Sequence, residues 1–174
     1  RHDTHPIYGR AVNIASMLKD VLMMKRANMN TIRTAHYPNQ DKMYDMFDYY
    51  GLLTVCEADV ECHANQAISN DTTWEAAFVD RGLRMALRDR NHPSVIMWSL
   101  GNECGDGINF AAERTAIEAV DDRPIHYEGG WQYSDFTGNM YRTIEELCKT
   151  DTTSNPKAFF ADGTYKPHFV CEYA

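Results

Sequence analysis

The clearest pattern along the chain is a run of six mostly apolar residues, Val95 to Leu100, that leads into Gly101, Asn102 and Glu103. A short apolar run bounded by polar sequence is typical of a strand buried on both faces. Such a strand would deliver the Glu103 carboxylate to the point where it emerges, which is where parallel α/β enzymes hold their catalytic groups. A catalytic carboxylate of this kind needs partner residues from the rest of the chain.

Five other short segments have the β-branched and apolar content of strands. They cover residues 30–35, 52–56, 125–128, 137–141 and 168–172. The pattern is weakest over 137–141, whereas the last segment, like Val95 to Leu100, ends at a glutamate, Glu172. The sequence therefore predicts six strands, two of which present a glutamate at their carboxyl end.

Apolar residues at helical spacing lie between these strands. The predicted helices cover approximately residues 17–24, 43–50, 72–90, 110–120 and 144–148. Asn13 or Ser16 could cap the first helix, Gly51 stands where the second would end, and Thr72 and Glu75 have the spacing of a capping box. Helices thus follow strands in regular alternation.

This alternation predicts an α/β fold, either a doubly wound sheet or a (β/α)8 TIM barrel. A doubly wound dinucleotide fold should carry Gly-x-Gly-x-x-Gly after a strand, and the segment 101–105 places an acid where that motif needs glycine. The barrel is favoured, but a complete one takes about 250 residues. We expect residues 1–174 to form one incomplete catalytic barrel domain with about six of the eight strands.

Charge excludes some classes of partner. The formal net charge is −8 and the sequence pI is about 5.3, with no basic patch. Nucleic acid or an anionic membrane would be repelled by such a chain. No apolar run approaches the roughly 20 residues that span a bilayer. We expect a small-molecule substrate, with neither nucleic acid nor membrane as a partner.

The cysteines favour a reducing compartment. Their number is odd and their spacing irregular: Cys56, Cys62, Cys104, Cys148 and Cys171. Such a set suits reduced thiols better than a disulfide framework and predicts a cytoplasmic protein. Cys56, Cys62, Cys104 and His63 could in principle hold zinc, but no Cys-x-x-Cys pair supports that site.

Glu103 and Glu172 would both project from the same face of a barrel. A pair of carboxylates across a pocket is the minimum equipment for glycoside hydrolysis, because one protonates the leaving oxygen while the other attacks or activates water. The alternative is that both are strand-end residues solvated in loops. Spacing alone does not decide between these interpretations.

Other polar residues at predicted strand ends could complete a site. Glu61 and His63, close to Glu103 in a barrel, are oxygen and nitrogen ligands that suit Mg²⁺ or Mn²⁺, unless they are surface residues. Three histidines could donate to sugar hydroxyls or serve as structural hydrogen-bonding groups: His2, His5 and His36. The residues alone leave both interpretations open.

Six motifs occur together along the chain in a fixed order. They are Arg1–Pro6, Arg33–Asn39, Glu57–His63, Asp89–Ser94, Trp98–Glu103 and Cys171–Ala174. In this order the chain resembles the large β-galactosidases of glycoside hydrolase family 2. Each motif is weak evidence alone, but the set is specific and extends over essentially the whole chain.

The resemblance implies a retaining β-galactosidase built on a (β/α)8 barrel. Glu103 matches the family's general acid/base, and Glu172 matches the nucleophile that forms the galactosyl-enzyme intermediate. Asn102 matches a residue that contacts the 2-hydroxyl of the sugar, a contact that strengthens in the transition state. A β-galactoside is then the expected substrate, and we expect the full-length protein to be a homo-oligomer.

The same resemblance implies a metal site and further pocket residues. Glu61, His63 and Glu103 match the ligands of an active-site Mg²⁺. His2 and His36 match histidines that support the substrate, and Tyr141 matches a tyrosine near the nucleophile. These assignments are expectations that rest on the resemblance alone.

The chain departs from the family pattern in two ways. Cys104 stands where a serine is familiar. The family's pocket also continues beyond the nucleophile and receives residues from domains before the barrel, which are not within these residues. Two alternatives follow: a β-glucuronidase of the same family, or a non-catalytic piece that folds or works only with complementing segments.

Overall fold

The computed structural model describes residues 1–148 and 159–173, without the side chains of residues 147 and 148. The Cys148 thiol, the Asn155-Pro156 part of a predicted polar loop and Ala174 in the last motif lie outside the described residues. None of the described helices is both long and apolar enough to cross a membrane.

The described residues contain six strands, at the predicted places. Four form a parallel sheet in the order β1 (Thr31–Arg33), β2 (Leu53–Glu57), β3 (Val95–Ser99) and β4 (Ile125–His126). β5 (Thr137–Met140) and β6 (His168–Glu172) form a second parallel pair. All pairs being parallel, the carboxyl ends of neighbouring strands lie at one edge, which is the arrangement that the alternating pattern predicts.

In the same described part of the chain, five α-helices accompany these strands: α1 (Ile14–Arg26), α2 (Asp41–Tyr50), α3 (Glu75–Asp89), α4 (Asn109–Glu118) and α5 (Ile144–Cys148). Asn13 caps α1 by accepting a hydrogen bond of 2.9 Å from the Ser16 backbone N–H. Gly51 ends α2 in the left-handed conformation, at φ 67°, which glycine adopts without steric cost.

The predicted capping box before α3 is wrong. Asp71 is the capping residue, and its carboxylate accepts hydrogen bonds from the backbone and hydroxyl groups of Thr73. A 3₁₀ turn over Thr72–Trp74 follows, and α3 begins only at Glu75. The pattern failed here because an aspartate one residue earlier accepts from the Thr73 N–H and starts a tighter turn before the helix.

β3 is buried as predicted except at Ile96, whose side chain is 37% exposed. Trp98 points toward the helices and donates from its indole nitrogen to Asp121, whereas Ser99 points inward and donates to Glu57. Ile96 shares the face of Trp98, because alternate residues of a strand face the same side. The outer face at the start of β3 is therefore only partly covered.

The packing of α3 against α4 contains a buried acid. Glu113 of α4 is fully buried and approaches Gly82 of α3 so closely that a Cβ there would collide with it. Neither of its carboxylate oxygens has a hydrogen-bond partner among the described residues. Burial raises the pKa of Glu113 well above its usual value, so the group is held neutral.

Candidate active site

A pocket of about 390 Å³ lies where the carboxyl ends of β1 and β6 face each other. Its polar lining includes Arg33 from β1, Glu172 from β6, and His36 and Tyr141 from the loops that follow β1 and β5. The polar groups of the pocket thus lie at the strand ends, where the sequence places them.

Arg33 is the centre of the hydrogen-bond network. Its guanidinium donates to both carboxylate oxygens of Glu57, at 2.6 and 3.0 Å, and to Glu172 Oε1 at 2.9 Å. It also donates to Asn102 Oδ1 at 2.7 Å. Burial lowers the pKa of Arg33, but the attraction of Glu57 outweighs it and leaves the pKa raised. One buried cation therefore links the ends of β1, β2 and β6 and the loop after β3.

Glu57 is fully buried and has donors on both oxygens. Besides Arg33, Ser99 donates to Oε2 at 2.7 Å, and the His36 ring nitrogen Nδ1 lies 2.8 Å from Oε1. The hydrogen bond to Glu57 is the main cause of the raised pKa of His36. Glu57 is thus occupied by structural partners, and it fixes the orientation of Arg33 and His36.

Glu172 has a different environment. Its Oε1 accepts from Arg33, and its Oε2 accepts from the Tyr141 hydroxyl at 2.5 Å. Burial raises the pKa of Glu172, but the hydrogen bonds from Tyr141 and Arg33 outweigh it and leave the pKa lowered. The carboxylate at the end of β6 is therefore kept ionised at the wall of the pocket.

Asn102 connects the Arg33 network to Glu61. Its carbonyl accepts from Arg33, and its amide donates to Glu61 Oε1 at 3.1 Å. The two segments also form a parallel bridge between Glu61 and Asn102 that continues the β2 and β3 ladder. The side chain of Asn102 is 2% exposed, so its two ends are both set by these partners.

Glu103 is held by its backbone. Its φ is 48°, in the left-handed region that residues other than glycine seldom occupy. Its N–H donates to the Glu128 carbonyl at 2.9 Å, and Gln66 donates to its carbonyl at 3.0 Å. A Cβ on Gly129 would lie 3.1 Å from the Glu103 Cα, so the neighbouring loop approaches closely. These contacts turn the Glu103 side chain toward His63.

The predicted metal ligands are neighbours but do not form one compact set. The His63 imidazole contacts Glu103 Oε2, whereas the Glu61 carboxylate is turned toward Asn102. Two carboxylates and an imidazole suit Mg²⁺ or Mn²⁺ as donors. Among the described residues, however, Glu61, His63 and Glu103 are not a group whose ligand atoms all lie within 4.8 Å of one another. The chemistry of the donor set fits the ion, although the described placement does not bring the three ligands around one point.

The zinc alternative finds no support in the described residues. Cys56 lies among Tyr44 and Asp89, with the Tyr44 hydroxyl 3.0 Å from its sulfur, while Cys62 and Cys104 contact each other at the loop after β2. All four cysteines with described side chains are free thiols, as the irregular spacing predicts.

The predicted histidines separate into two groups. His2 and His36 lie together at the pocket, with ring centroids 5.5 Å apart, and partial burial and the neighbouring His36 lower the pKa of His2. His5 instead accepts from the backbone N–H groups of Ile7 and Tyr8 in a local turn. The structural interpretation therefore applies to His5, and the other two face the pocket.

The structure thus brings together His2, His36, Asn102, Tyr141 and Glu172, and places Glu61, His63 and Glu103 beside them. The residues that the pattern did not single out are Arg33 and Glu57, together with Ser99. Their position in the sequence could have marked them, because each is a polar residue at the carboxyl end of a predicted strand. What could not be read from the chain is that all three face the barrel interior.

Comparison with known proteins agrees with this architecture. The model of "Glycosyl hydrolases family 2, TIM barrel domain" matches residues 1–174. A β-glucuronidase from Ruminococcus gnavus in complex with D-glucuronic acid is similar in structure, at 27% identity and a TM-score of 0.69 over 80% of this chain and 27% of that one. The same bacterium's β-glucuronidase with a C6-substituted uronic isofagomine matches 99% of this chain and 34% of its own, at 24% identity and a TM-score of 0.75.

The chain spans about a quarter to a third of the length of these structures. The second similarity, below 25% identity, bears on the fold, while the family match covers the whole chain. The parallel strands, their order and the polar groups at their carboxyl ends are what this family's barrel requires. The chain belongs to glycosyl hydrolase family 2, and it forms part of that family's TIM-barrel domain.

Proposed function

We propose that this chain carries the catalytic centre of a retaining β-galactosidase, with Glu172 as nucleophile and Glu103 as general acid/base. The observation that carries this proposal is the contrast between the two strand-end glutamates. Glu172 is kept ionised by Tyr141 and Arg33, whereas the Glu103 carboxylate contacts the His63 imidazole. A pair of carboxylates in different environments is the requirement for acid and nucleophile roles.

In the first step Glu172 attacks the anomeric carbon while Glu103 gives its proton to the departing glycosidic oxygen. The bond from the anomeric carbon to that oxygen breaks, and a bond to the Glu172 carboxylate forms. In the second step Glu103 takes a proton from water, whose oxygen displaces Glu172 from the sugar. Two inversions give net retention of configuration.

The other site residues position these groups. Arg33 and Tyr141 hold the two oxygens of Glu172, which leaves the carboxylate little rotational freedom. Asn102, which accepts from Arg33, is the residue we propose to contact a sugar hydroxyl, and His2 and His36 face the pocket. Preorganised donors of this kind act on charge that develops in the transition state.

Mg²⁺ is part of the proposal. Glu61, His63 and Glu103 would hold it, and the ion would supply positive charge next to the acid/base group. The support is the choice of donors and the direct contact of His63 with Glu103.

The pairing of the arginines in the described lining supports a neutral sugar as the proposed substrate. Among the described residues of its lining, the arginines are Arg1 and Arg33. Arg33 is shared by Glu57 and Glu172, and Arg1 is paired with Asp20 and Asn39. A glucuronide carboxylate would need an available cation, and the Glu61 to His63 loop also matches the galactosidases.

β-Glucuronidase is the second candidate, because the similar structures are β-glucuronidases. The two activities are separated by comparing kcat/KM for nitrophenyl β-galactoside and nitrophenyl β-glucuronide, using the protein at its natural full length. We expect the galactoside to be preferred by about 100-fold or more, because a carboxylate without a cation is poorly bound. Preference for the glucuronide would overturn the substrate assignment.

The catalytic roles have their own test. Glu172→Gln should lower kcat by on the order of 10⁴-fold, as removal of a nucleophile does in other enzymes. Glu75→Gln, at an exposed glutamate in the first turn of α3, is the matched control and should keep full activity. Full activity in Glu172→Gln, or an inverted product anomer in NMR of the first turnovers, would contradict the proposal.

A further inference from the structure

Three side chains able to bind a metal lie together beside the pocket that Arg33 and Glu172 line. They are not among the residues proposed above as catalytic groups or Mg²⁺ ligands. They are the imidazole of His126 in β4, the carboxylate of Glu128 just beyond it, and the thiol of Cys171 in β6. One ligand atom from each lies within 4.8 Å of the other two, and all three residues are buried. Among the described residues, no other group of three potential ligands is this compact.

His126 is the member of this group without a hydrogen-bond partner among the described residues. It is fully buried, and neither of its ring nitrogens has a hydrogen-bond partner in the described part of the chain. The ring of Phe169 packs edge to face against it, with centroids 4.9 Å apart, and offers no hydrogen-bonding group. A buried imidazole without a hydrogen-bond partner is unfavourable. A metal ion that accepts its nitrogen lone pair, or a group that shares its proton, would remove this cost.

The donor set is that of a thiophilic ion. Thiolate, imidazole and carboxylate together are ligands of Zn²⁺, and a soft thiolate discriminates against Mg²⁺ and Ca²⁺. We propose that His126, Glu128 and Cys171 form a binding site for a thiophilic divalent cation, and that Zn²⁺ is the ion it fits best. Three protein ligands leave a fourth tetrahedral position for water.

Binding of the cation replaces the S–H bond of Cys171 with a sulfur–metal bond. At present Cys171 donates its thiol proton to Glu128 Oε2, across 2.7 Å. The cation takes the place of that proton: the S–H bond breaks, a sulfur–metal bond forms, and the proton leaves to the buffer. Tetrahedral ligands on Zn²⁺ stand about 3.3–3.7 Å apart, so the sulfur and the carboxylate oxygen need to separate by about 1 Å.

The surroundings leave room for this change. β5 passes over the cluster at Gly138, where a Cβ would lie 3.1 Å from both Glu128 Oε2 and His126 Cε1. Glycine therefore keeps a space open that any other residue would fill. Cys171 also lines the pocket of about 390 Å³, which provides a route of entry for the ion.

Local charge favours a cation. The charged groups that act on Cys171 are Glu128, Arg33 and Glu172, and Arg33 also acts on His126. Arg33, the one positive member of these three, is already paired with Glu57 and Glu172. The addition of a divalent cation to the cluster therefore reduces an excess of negative charge.

Because Cys171 directly precedes Glu172, activity would not distinguish a metal ligand from a residue that merely supports the nucleophile. The measurement is therefore metal binding in the absence of substrate. The protein at its natural full length is titrated with Co²⁺ in the presence of excess Mg²⁺, which occupies sites built from oxygen donors. We expect one equivalent to bind with a thiolate-to-cobalt charge-transfer absorption, and Zn²⁺ to displace it.

Three variants assign the ligands. Cys171→Ser should abolish the charge-transfer absorption, and His126→Gln should weaken Co²⁺ binding about tenfold or more. Cys62→Ser is the matched control, at a partly buried thiol that contacts Cys104 next to Glu103. It should bind Co²⁺ as the unmodified protein does. Circular dichroism confirms folding, and if Cys171→Ser fails to fold, His126→Gln decides.

The proposal is overturned by any of three results: an absorption that survives in Cys171→Ser, an equal loss in Cys62→Ser, or Co²⁺ that binds in the unmodified protein without a thiolate signal. Unchanged binding in His126→Gln would remove the imidazole from the site. None of these results depends on which sugar the protein hydrolyses.

Discussion

Arg33 donates a hydrogen bond of 2.9 Å to Glu172, across 139 positions of the sequence. The same guanidinium holds Glu57 through two further bonds. It therefore serves both as a structural tie between strands and as the group that sets the charge of the carboxylate in the pocket.

Arg33→Lys should lower kcat/KM by about 100-fold or more, because an ammonium group cannot donate to Glu57, Glu172 and Asn102 in the same fork geometry. The hydrogen bond from Arg33 also lowers the pKa of Glu172. Its loss raises that pKa, so the acidic limb of the pH profile of kcat/KM should move to higher pH.

The matched control is Arg84→Lys, at an exposed arginine of α3 that pairs with Asp80. It should leave both the rate and the pH profile unchanged. An acidic limb that stays in place in Arg33→Lys would show that Arg33 does not tune Glu172.

Tyr141→Phe removes the hydroxyl that donates to Glu172 Oε2. That hydroxyl helps to hold the carboxylate in its orientation, so kcat should fall by about 10- to 100-fold. The pKa of Glu172 rises in this variant too, and the acidic limb should again move to higher pH. Tyr49→Phe, at a side chain that is 83% exposed, is the comparison that should show neither effect.

Removal of metal should reduce hydrolysis, and Mg²⁺ should restore it. His63→Ala should raise the Mg²⁺ concentration needed for half-maximal activity by about 10-fold or more, because one of the proposed ligands is lost. His5→Ala is the suitable control, since His5 lies in a local turn. If chelator does not affect hydrolysis, and His63→Ala and His5→Ala respond equally to Mg²⁺, then His63 is not a ligand of the metal.

Glu113→Gln tests the buried acid between α3 and α4. Burial raises the pKa of Glu113 in the folded protein, so its contribution to stability is present below the unfolded pKa of about 4.3 and is lost as the pH rises toward the folded value. At pH 8 the variant should therefore be more stable than the unmodified protein, by about 1–3 kcal/mol. At pH 4 the difference should disappear.

The melting temperature measured from pH 4 to pH 8 checks this prediction. Glu118→Gln replaces a half-exposed glutamate of the same helix and should show no such pH dependence. An equal response of Glu113→Gln and Glu118→Gln would mean that Glu113 is ionised in the folded protein.

Much of the fold follows from local pattern. β3 and β6 could be placed because each is a short apolar run that ends at a glutamate, and α2 because its apolar stripe ends at Gly51. The contact of His63 with Glu103 was also foreseeable, since loops after neighbouring parallel strands share one edge of the sheet.

The polar network was not foreseeable. Whether Glu57 points inward or outward depends on the register of β2, and local pattern does not specify the inward-facing set of a strand with few polar positions. Its pairing with Arg33 and Ser99 depends on which faces of three strands meet. Likewise, no local signal indicates that His126 has no hydrogen-bond partner among the described residues, because that depends on which side chains surround it in the packed interior.

The position of the pocket between β1 and β6 has a consequence for the newly made chain. Arg33 and Glu57 are only 24 positions apart, so their pair can form while the ribosome is still at work. Glu172 leaves the ribosome about 7–28 s after Arg33, at roughly 5–20 residues per second. Until Glu172 emerges, the Arg33 and Glu57 pair lacks the carboxylate that we propose as the nucleophile.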